Sequence, residues 1–367
     1  MTRLMKIDMN SNKKYFTKTL LSWNKRDNER KMPWKGETDP YKIWLSEIIL
    51  QQTRVEQGWD YYNRFIDVYP TIDKLAKAPD EKIFKMWEGL GYYTRCKNLI
   101  ETARFISKEK NGKFPDSYEQ ILALKGVGLY TAAAIASFAF NLPHAVIDGN
   151  VFRVLSRFFG IKNAIDSTEG KTIFTTIADE LLDKKTSGIY NQAIMDFGAV
   201  ICKPKNPLCN TCMLKTRCVA RLQGITDKLP VKNAKITRKS RWFYYFIIEH
   251  NNKFYVRKRG AGDIWENLYE FVLLETEKMM NVDKIKKSSE VREIVGKNKI
   301  EITAVSKLYQ QQLTHQTIQG RFFHFKAGYE ISPKTYKAVT FKELKKLPFP
   351  KFITGYLAEN ELKAFER

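Results

Sequence analysis

Two carboxylates stand out for the residues around them. Glu47 lies in Trp44-Leu45-Ser46-Glu47-Ile48-Ile49-Leu50, where large apolar side chains almost enclose it. Desolvation at such a position raises a carboxyl pKa and suits it to general acid work near neutral pH. Taken alone, an ion-paired structural glutamate would fit the same pattern. Asp148 follows Ala145-Val146-Ile147 and precedes Gly149-Asn150-Val151. That is an N-cap position, and the positive end of a helix favours an ionised carboxylate. One protonated and one ionised carboxyl from distant segments match the needs of glycosidic bond cleavage. The first protonates the leaving group, and the second stabilises the cationic sugar.

Cys202, Cys209, Cys212 and Cys218 form a C-x6-C-x2-C-x5-C array, with Pro204, Asn206, Pro207 and Asn210 bending the loop between them. Four thiolates so spaced hold either a [4Fe–4S] cluster or Zn²⁺. Spacing alone leaves both open, although zinc ribbons usually offer two C-x2-C knuckles and only one stands here. Lys203, Lys205, Lys215 and Arg217 would carry positive charge on the same loop. Cys96 stands apart and reads as a small buried hydrophobe. A third feature is Leu124-Lys125-Gly126-Val127-Gly128 between two helical stretches. Two glycines around one apolar residue allow a tight turn with outward N–H groups, able to grip a phosphate, often with a monovalent cation. A glycine pair is equally the mark of an ordinary helix C-cap.

These side chains need elements to hold them. Apolar helical stretches run over 41–51, 81–88, 97–108, 118–124, 131–140, 151–159, 171–182 and 190–201, separated by Pro and Gly. Nothing up to about residue 223 shows sustained period-two alternation, so this half reads as all-α. Residues 226–240 are basic and short of large apolar side chains, and read as a linker. Beyond it, 242–249, 253–258, 268–274 and 321–329 read as strands, with a turn at His250-Asn251-Asn252. Residues 282–295 and 341–347 read as helices, which makes the C-terminal part a separate α+β domain.

The whole chain is 367 residues long, with 63 Lys+Arg against 40 Asp+Glu and a formal net charge of +23. A field of that sign draws polyanions and favours nucleic acid, although solubility or an anionic lipid surface would also account for the charge. The first residues lack the apolar core of a signal peptide, and no run approaches the ~18 apolar residues that span a bilayer. Five cysteines, four of them clustered, fit a reducing compartment better than a disulfide scaffold. A cytoplasmic, nucleoid-associated monomer is expected.

The motifs Leu45-Ser46-Glu47-Ile48-Ile49-Leu50-Gln51-Gln52-Thr53, Gly89-Leu90-Gly91-Tyr92-Tyr93, Gly126-Val127-Gly128, Ile147-Asp148-Gly149-Asn150-Val151 and the cysteine array occur in one order. That order resembles MutY-type adenine DNA glycosylases, of the endonuclease III-like helix–hairpin–helix superfamily, closely over residues 14–225 and more loosely beyond. The resemblance implies a mainly α helix–hairpin–helix glycosylase domain at 1–225 with a [4Fe–4S] cluster loop at 202–218. A linker at 226–240 and an α+β Nudix-like recognition domain at 241–367 would follow. It implies base excision repair on double-stranded DNA, removing adenine mispaired with 8-oxoguanine or guanine.

The same resemblance implies roles at matching positions. Glu47 is the acid, Asp148 the stabiliser of the cationic sugar, and Tyr130 and Asn150 their supports. Gln52, Thr53, Leu90 and Tyr92 face or wedge beside the estranged guanine, and Gln51 and Gln192 are candidates for adenine contacts. Gly126, Val127 and Gly128 grip DNA, and Cys202, Cys209, Cys212 and Cys218 ligate the cluster. Lyases of the superfamily carry a Lys two residues after the last hairpin glycine. Tyr130 holds that place here, which implies base removal without strand cutting. No Nudix hydrolase box (G-x5-E-x7-R-E-x2-E-E) follows Trp242, so the C-terminal domain reads lesions instead of hydrolysing nucleotides. Leu313-Thr314-His315 aligns with the family's Phe-Ser-His loop; Thr314 keeps the hydroxyl, while Leu313 loses an aromatic wedge. Lys35 replaces a usual Arg and Lys125 a usual Pro, and both keep or add positive charge for DNA. Two competing readings are a bifunctional glycosylase/lyase for oxidised pyrimidines and a non-catalytic DNA-binding module that senses redox state.

Overall fold

The computed structural model describes residues 3–233, 237–288, 301–327 and 335–360. The chain divides into two compact units, Met1–Lys77 with Asn98–Ala234, and Ala78–Lys97 with Lys235–Arg367. The sequence boundaries did not anticipate that residues 78–97 group with the C-terminal part, because composition carries no sign of which neighbours a segment packs against. Among the described residues no helix is long and apolar enough to cross a membrane.

In chain order the first half forms α1 (Arg3–Arg26), α2 (Pro40–Leu50), α3 (Val55–Val68), α4 (Ile72–Lys77), α5 (Asp80–Trp87) and α6 (Thr94–Glu109). Then come α7 (Tyr118–Leu122), α8 (Leu129–Phe140), α9 (Gly149–Phe159), α10 (Thr168–Leu181), α11 (Ser187–Val200) and the single turn α12 (Val219–Leu222). The first unit is all-α, as its lack of alternation predicts. Helix α2 starts at Pro40, whose missing N–H costs nothing at a first turn, behind Asp39, which caps Tyr41 N. Eight of its eleven residues are buried, so it is a core helix packed on α3 and α8. Helix α11 packs on α1, α8 and α9, where Phe16, Trp23, Phe158 and Phe197 share one core. Each large side chain so buried contributes about 1.5–3 kcal/mol.

Helices α1 and α3 were not expected. In α3 the buried positions are only Gly58, Tyr62 and Phe65. Gly58 sits where a Cβ would lie 3.0 Å from Leu50 Cδ2, so a helix-weakening residue is the one that lets α2 and α3 approach.

Among the described residues the second unit holds a seven-stranded mixed sheet: β1 (Lys239–His250), β2 (Lys253–Lys258), β3 (Tyr269–Thr276), β4 (Glu301–Val305), β5 (Tyr309–Gln312), β6 (Gln316–Lys326) and β7 (Lys337–Thr340). The strand order is β4-β6-β1-β3-β2-β7, with β5 also paired to β6. Strands β1 and β6 run parallel and the other pairs antiparallel. Asn251 and Asn252, at φ 48° and 59°, make the two-residue turn from β1 to β2 that their residue type favours. Among the described residues, helices α13 (Val282–Lys286), α14 (Phe341–Leu344) and α15 (Lys351–Glu359) also belong to this unit. The helix expected over 282–295 is present to Lys286, and residues 289–295 lie outside those described. The linker is shorter than its composition suggests: Thr226–Lys228 is a 3-10 turn, and β1 already begins at Lys239. Strands β4, β5 and β7 were missed because each is only four or five residues long.

Candidate active site

Helices α2, α8 and α9 bring three residues together. Glu47, near the end of α2, is buried between apolar neighbours, and the Tyr130 hydroxyl at the start of α8 donates to its carboxylate. Burial pushes the Glu47 pKa up to about 7, Tyr130 opposes the rise, and the charge of Asp148 adds to it. Asp148 caps α9. Its Oδ1 accepts from Asn150 N and Val151 N, both at 2.8 Å, and its Oδ2 from Asn150 Nδ2 at 2.6 Å. Burial raises the Asp148 pKa as well, while these donors and the Arg153 charge hold it down. The expected helix-end stabilisation of its anion therefore works against a desolvation penalty.

Asn150 is held in turn by Arg153, whose Nη2 donates to Asn150 Oδ1 at 2.7 Å and to Gly198 O at 2.7 Å. Arg153 Nε donates to Cys202 O at 2.8 Å, so one guanidinium joins the cap of α9 to the cysteine loop. Sequence reasoning missed Arg153. Its one signal was an arginine on the apolar face of a helix that opens at the candidate aspartate.

Beside Glu47 lies a cavity of about 340 Å³ lined by Trp34, Lys35, Ser46, Glu47, Phe138 and Gln192 among others. Of the two candidates for contacts inside such a pocket, Gln192 lines it and Gln51 does not. Gln51 Nε2 instead lies 3.2 Å from Thr131 Oγ1 and 3.5 Å from Gly126 O. Lys35, expected to contact DNA or a base, lines this cavity. Its ammonium pairs with buried Asp196 at 3.0 Å and donates to Arg30 O at 2.8 Å, because a fully buried carboxylate needs nearby cations.

The hairpin forms between α7 and α8. Gly126 has φ +79°, and a Cβ there would lie 2.8 Å from the Asn98 side chain. Gly128 caps α8 with open space around it, and Val127 is buried. Lys125 pairs with Glu101, so its added charge is largely taken up within the protein. Gln52 and Thr53 follow α2, with Gln52 exposed at φ 57°.

Cys202, Cys209, Cys212 and Cys218 all line one further cavity, together with Arg157, Lys215 and Arg221. Arg157 Nη1 lies 3.5 Å from Cys202 Sγ and donates to Lys203 O at 2.7 Å. Burial raises the thiol pKa of Cys202 and Cys218, and that of Cys212 to about 11, with further contributions from one another. Among the described residues no three His, Cys, Asp or Glu side chains converge closely enough to hold one metal ion. Arg157, Lys215 and Arg221 on the lining of the cavity would suit an anionic group held by the four thiolates. Cys96 is buried, as expected.

In the second unit the loop at Gly89–Tyr93 is held by Arg95, which donates to Gly91 O at 3.2 Å and lies over the Trp87 and Tyr92 rings. Leu90, expected as a wedge, is buried, and Tyr92 is the exposed side chain of the loop at φ 49°. Thr314 and His315 form the β5–β6 turn. His315 O accepts from Lys239 N at 3.0 Å, and Thr314 Oγ1 lies 2.9 Å from the Tyr92 hydroxyl.

Residues 45–178 match the HhH-GPD superfamily of base excision DNA repair proteins, and residues 243–359 match a NUDIX domain. An adenine DNA glycosylase of Buchnera aphidicola (subsp. Baizongia pistaciae) is 39% identical over 259 residues, covering 70% of this chain and 73% of that protein. The human adenine DNA glycosylase is 39% identical over 223 residues, 58% of this chain and 41% of the human one. Among solved structures, a thermostable thymine-DNA glycosylase aligns with a TM-score of 0.55 at 30% identity, over 59% of this chain and 99% of its own.

Proposed function

From the chain's membership of the adenine DNA glycosylase family, which makes it a DNA glycosylase, we propose that it excises adenine mispaired with 8-oxoguanine or guanine in double-stranded DNA. The base would flip out of the duplex and lose its N-glycosidic bond by hydrolysis. One observation carries this reading: a buried carboxyl with pKa about 7 lines a cavity of about 340 Å³ and shares its surroundings with a helix-capping aspartate.

Adenine is a poor leaving group until a ring nitrogen is protonated. Glu47, half-protonated near neutrality, gives that proton, and the Tyr130 hydroxyl holds its carboxyl in place. As the bond lengthens, the sugar gains oxocarbenium character, which the Asp148 carboxylate stabilises while Asn150 fixes its orientation. Tyr130 stands where related lyases carry their Schiff-base lysine, so the enzyme is monofunctional and leaves the strand intact. Gly126, Val127 and Gly128 approach the backbone phosphate. For the base opposite adenine, the candidates are Gln52 and Thr53 in the first unit and Leu90, Tyr92, Thr314 and His315 in the second, where the Nudix-like domain reads the lesion. Cys202, Cys209, Cys212 and Cys218 hold a [4Fe–4S] cluster, which when bound shapes the loop carrying Lys203, Lys205, Lys215 and Arg217 for DNA. The residues around Glu47 and Asp148 do the rest: they exclude water, orient the base and move one proton.

The test uses end-labelled duplexes with adenine opposite 8-oxoguanine, guanine, cytosine or thymine, with and without hot alkali. Alkali-dependent cleavage opposite 8-oxoguanine and guanine, absent opposite thymine and lost in Glu47→Gln and Asp148→Asn, is expected. Scission without alkali would overturn the monofunctional mechanism, and binding without base release would leave a DNA-binding module.

A further inference from the structure

Asp196 lies on α11, one helical turn after Gln192, and is fully buried. Four donors converge on it. Oδ1 accepts from Arg30 Nη1 and from Gln192 Nε2, both at 2.8 Å. Oδ2 accepts from Asn28 Nδ2 at 2.8 Å and pairs with Lys35 Nζ at 3.0 Å. A carboxylate offers four lone-pair sites and accepts only. Every site is therefore filled, three of them by the segment between α1 and α2 and one by α11.

The consequence falls on Gln192. Facing an acceptor-only partner, its amide must turn the NH₂ end toward Asp196, so the carbonyl oxygen is the end left free. Gln192 lines the cavity beside Glu47 and Asp196 does not. Among the described residues no hydrogen bond occupies that carbonyl. Gln192 and Glu47 both line the cavity, so its lining carries a hydrogen-bond acceptor as well as the acid.

We propose that Asp196 is a positioning residue which locks the Gln192 amide with its carbonyl toward the base, so that the pocket selects a base edge bearing an amino group. This rests on the function proposed above. An exocyclic amine donates to the Gln192 carbonyl, whereas a keto oxygen would set lone pair against lone pair and leave both unpaired. A merely structural Asp196, pinning residues 28–35 to α11, would affect every base alike.

The ratio of base release separates the two. Single-turnover release of adenine, unsubstituted purine and hypoxanthine, each opposite 8-oxoguanine, is compared in wild type, Asp196→Asn/Arg30→Met and Gln192→Leu. The double substitution removes one charge of each sign, which spares the fold an unbalanced buried charge. Lys35 still demands an acceptor at its side of residue 196, so the new amide turns its NH₂ toward Gln192 and reverses that side chain. Release of adenine relative to purine should then fall by about tenfold or more, and release of hypoxanthine relative to purine should rise. Gln192→Leu, which changes no buried charge, should show the same loss for adenine without the gain for hypoxanthine. If the double variant does not fold, as judged by its melting curve, the Gln192→Leu ratio decides. Equal losses on all three bases, or unchanged ratios, would overturn the role of Asp196 while leaving the glycosylase reading intact. A wild type that releases none of them would instead sink that reading and this one with it.

Discussion

The hydroxyls of Tyr92 and Thr314, 222 positions apart in sequence, lie 2.9 Å from one another. This contact joins the exposed side chain of the Gly89–Tyr93 loop to the β5–β6 turn within one compact unit. Tyr92→Phe and Thr314→Val should each weaken binding to duplexes carrying 8-oxoguanine by roughly 3–10-fold, the worth of one hydrogen bond. The double variant should lose little more than either single one, because both remove the same interaction. Fully additive losses in a titration would mean that each hydroxyl acts on DNA separately.

Glu47 ties stability to pH. Its folded pKa of about 7 lies above the ordinary 4.5, so folding takes up a proton between those values. The stabilisation is complete below about pH 4.5 and is lost as pH rises through about 7, a change on the order of 3 kcal/mol. Glu47→Gln removes the titration. The variant should therefore melt higher than wild type at pH 8, with the gap closing toward pH 5, while adenine release falls by about 10²–10⁴-fold. Identical melting temperatures across that range would show that Glu47 is not buried in the folded protein.

Tyr130 sets where the alkaline limb of the rate profile lies. Its hydroxyl holds the Glu47 pKa down, so Tyr130→Phe should shift that pKa upward. Since the protonated form is the catalyst, the alkaline fall in single-turnover rate should move to higher pH, together with a lower maximal rate from the loss of orientation. A pH–rate profile with an unmoved alkaline limb would exclude Tyr130 as the partner of Glu47.

Gly126 combines φ +79° with a Cβ direction blocked by Asn98 at 2.8 Å. Gly126→Ala should destabilise the first unit by about 1–3 kcal/mol and weaken binding to any duplex regardless of sequence. Gly128→Ala meets open space in the protein, so its fold should survive. If it too loses DNA affinity, bound DNA fills that space. Affinity retained in both variants would remove the hairpin from the DNA interface.

Much of the site was legible in the chain because it is written in local patterns. A carboxylate among Trp44, Leu45, Ile48 and Ile49 announces its own desolvation, an aspartate before Gly149-Asn150 announces a cap, and four cysteines at short intervals announce the one cavity they line. Sequence also separated the helical half from the strand-rich half, since periods of 3.6 and 2 are properties of neighbouring residues. What it left undetermined depends on residues far apart. Nothing near Lys35 shows that its charge turns inward to Asp196, and nothing near Leu90 shows that it is buried while Tyr92 is exposed. Arg153 reads as one more basic residue until tertiary contact places it between Asn150 and Cys202. The reason is physical: burial and hydrogen-bond partners are set by which elements pack together. A titratable or amide group takes its chemistry from those partners more than from its neighbours in the chain.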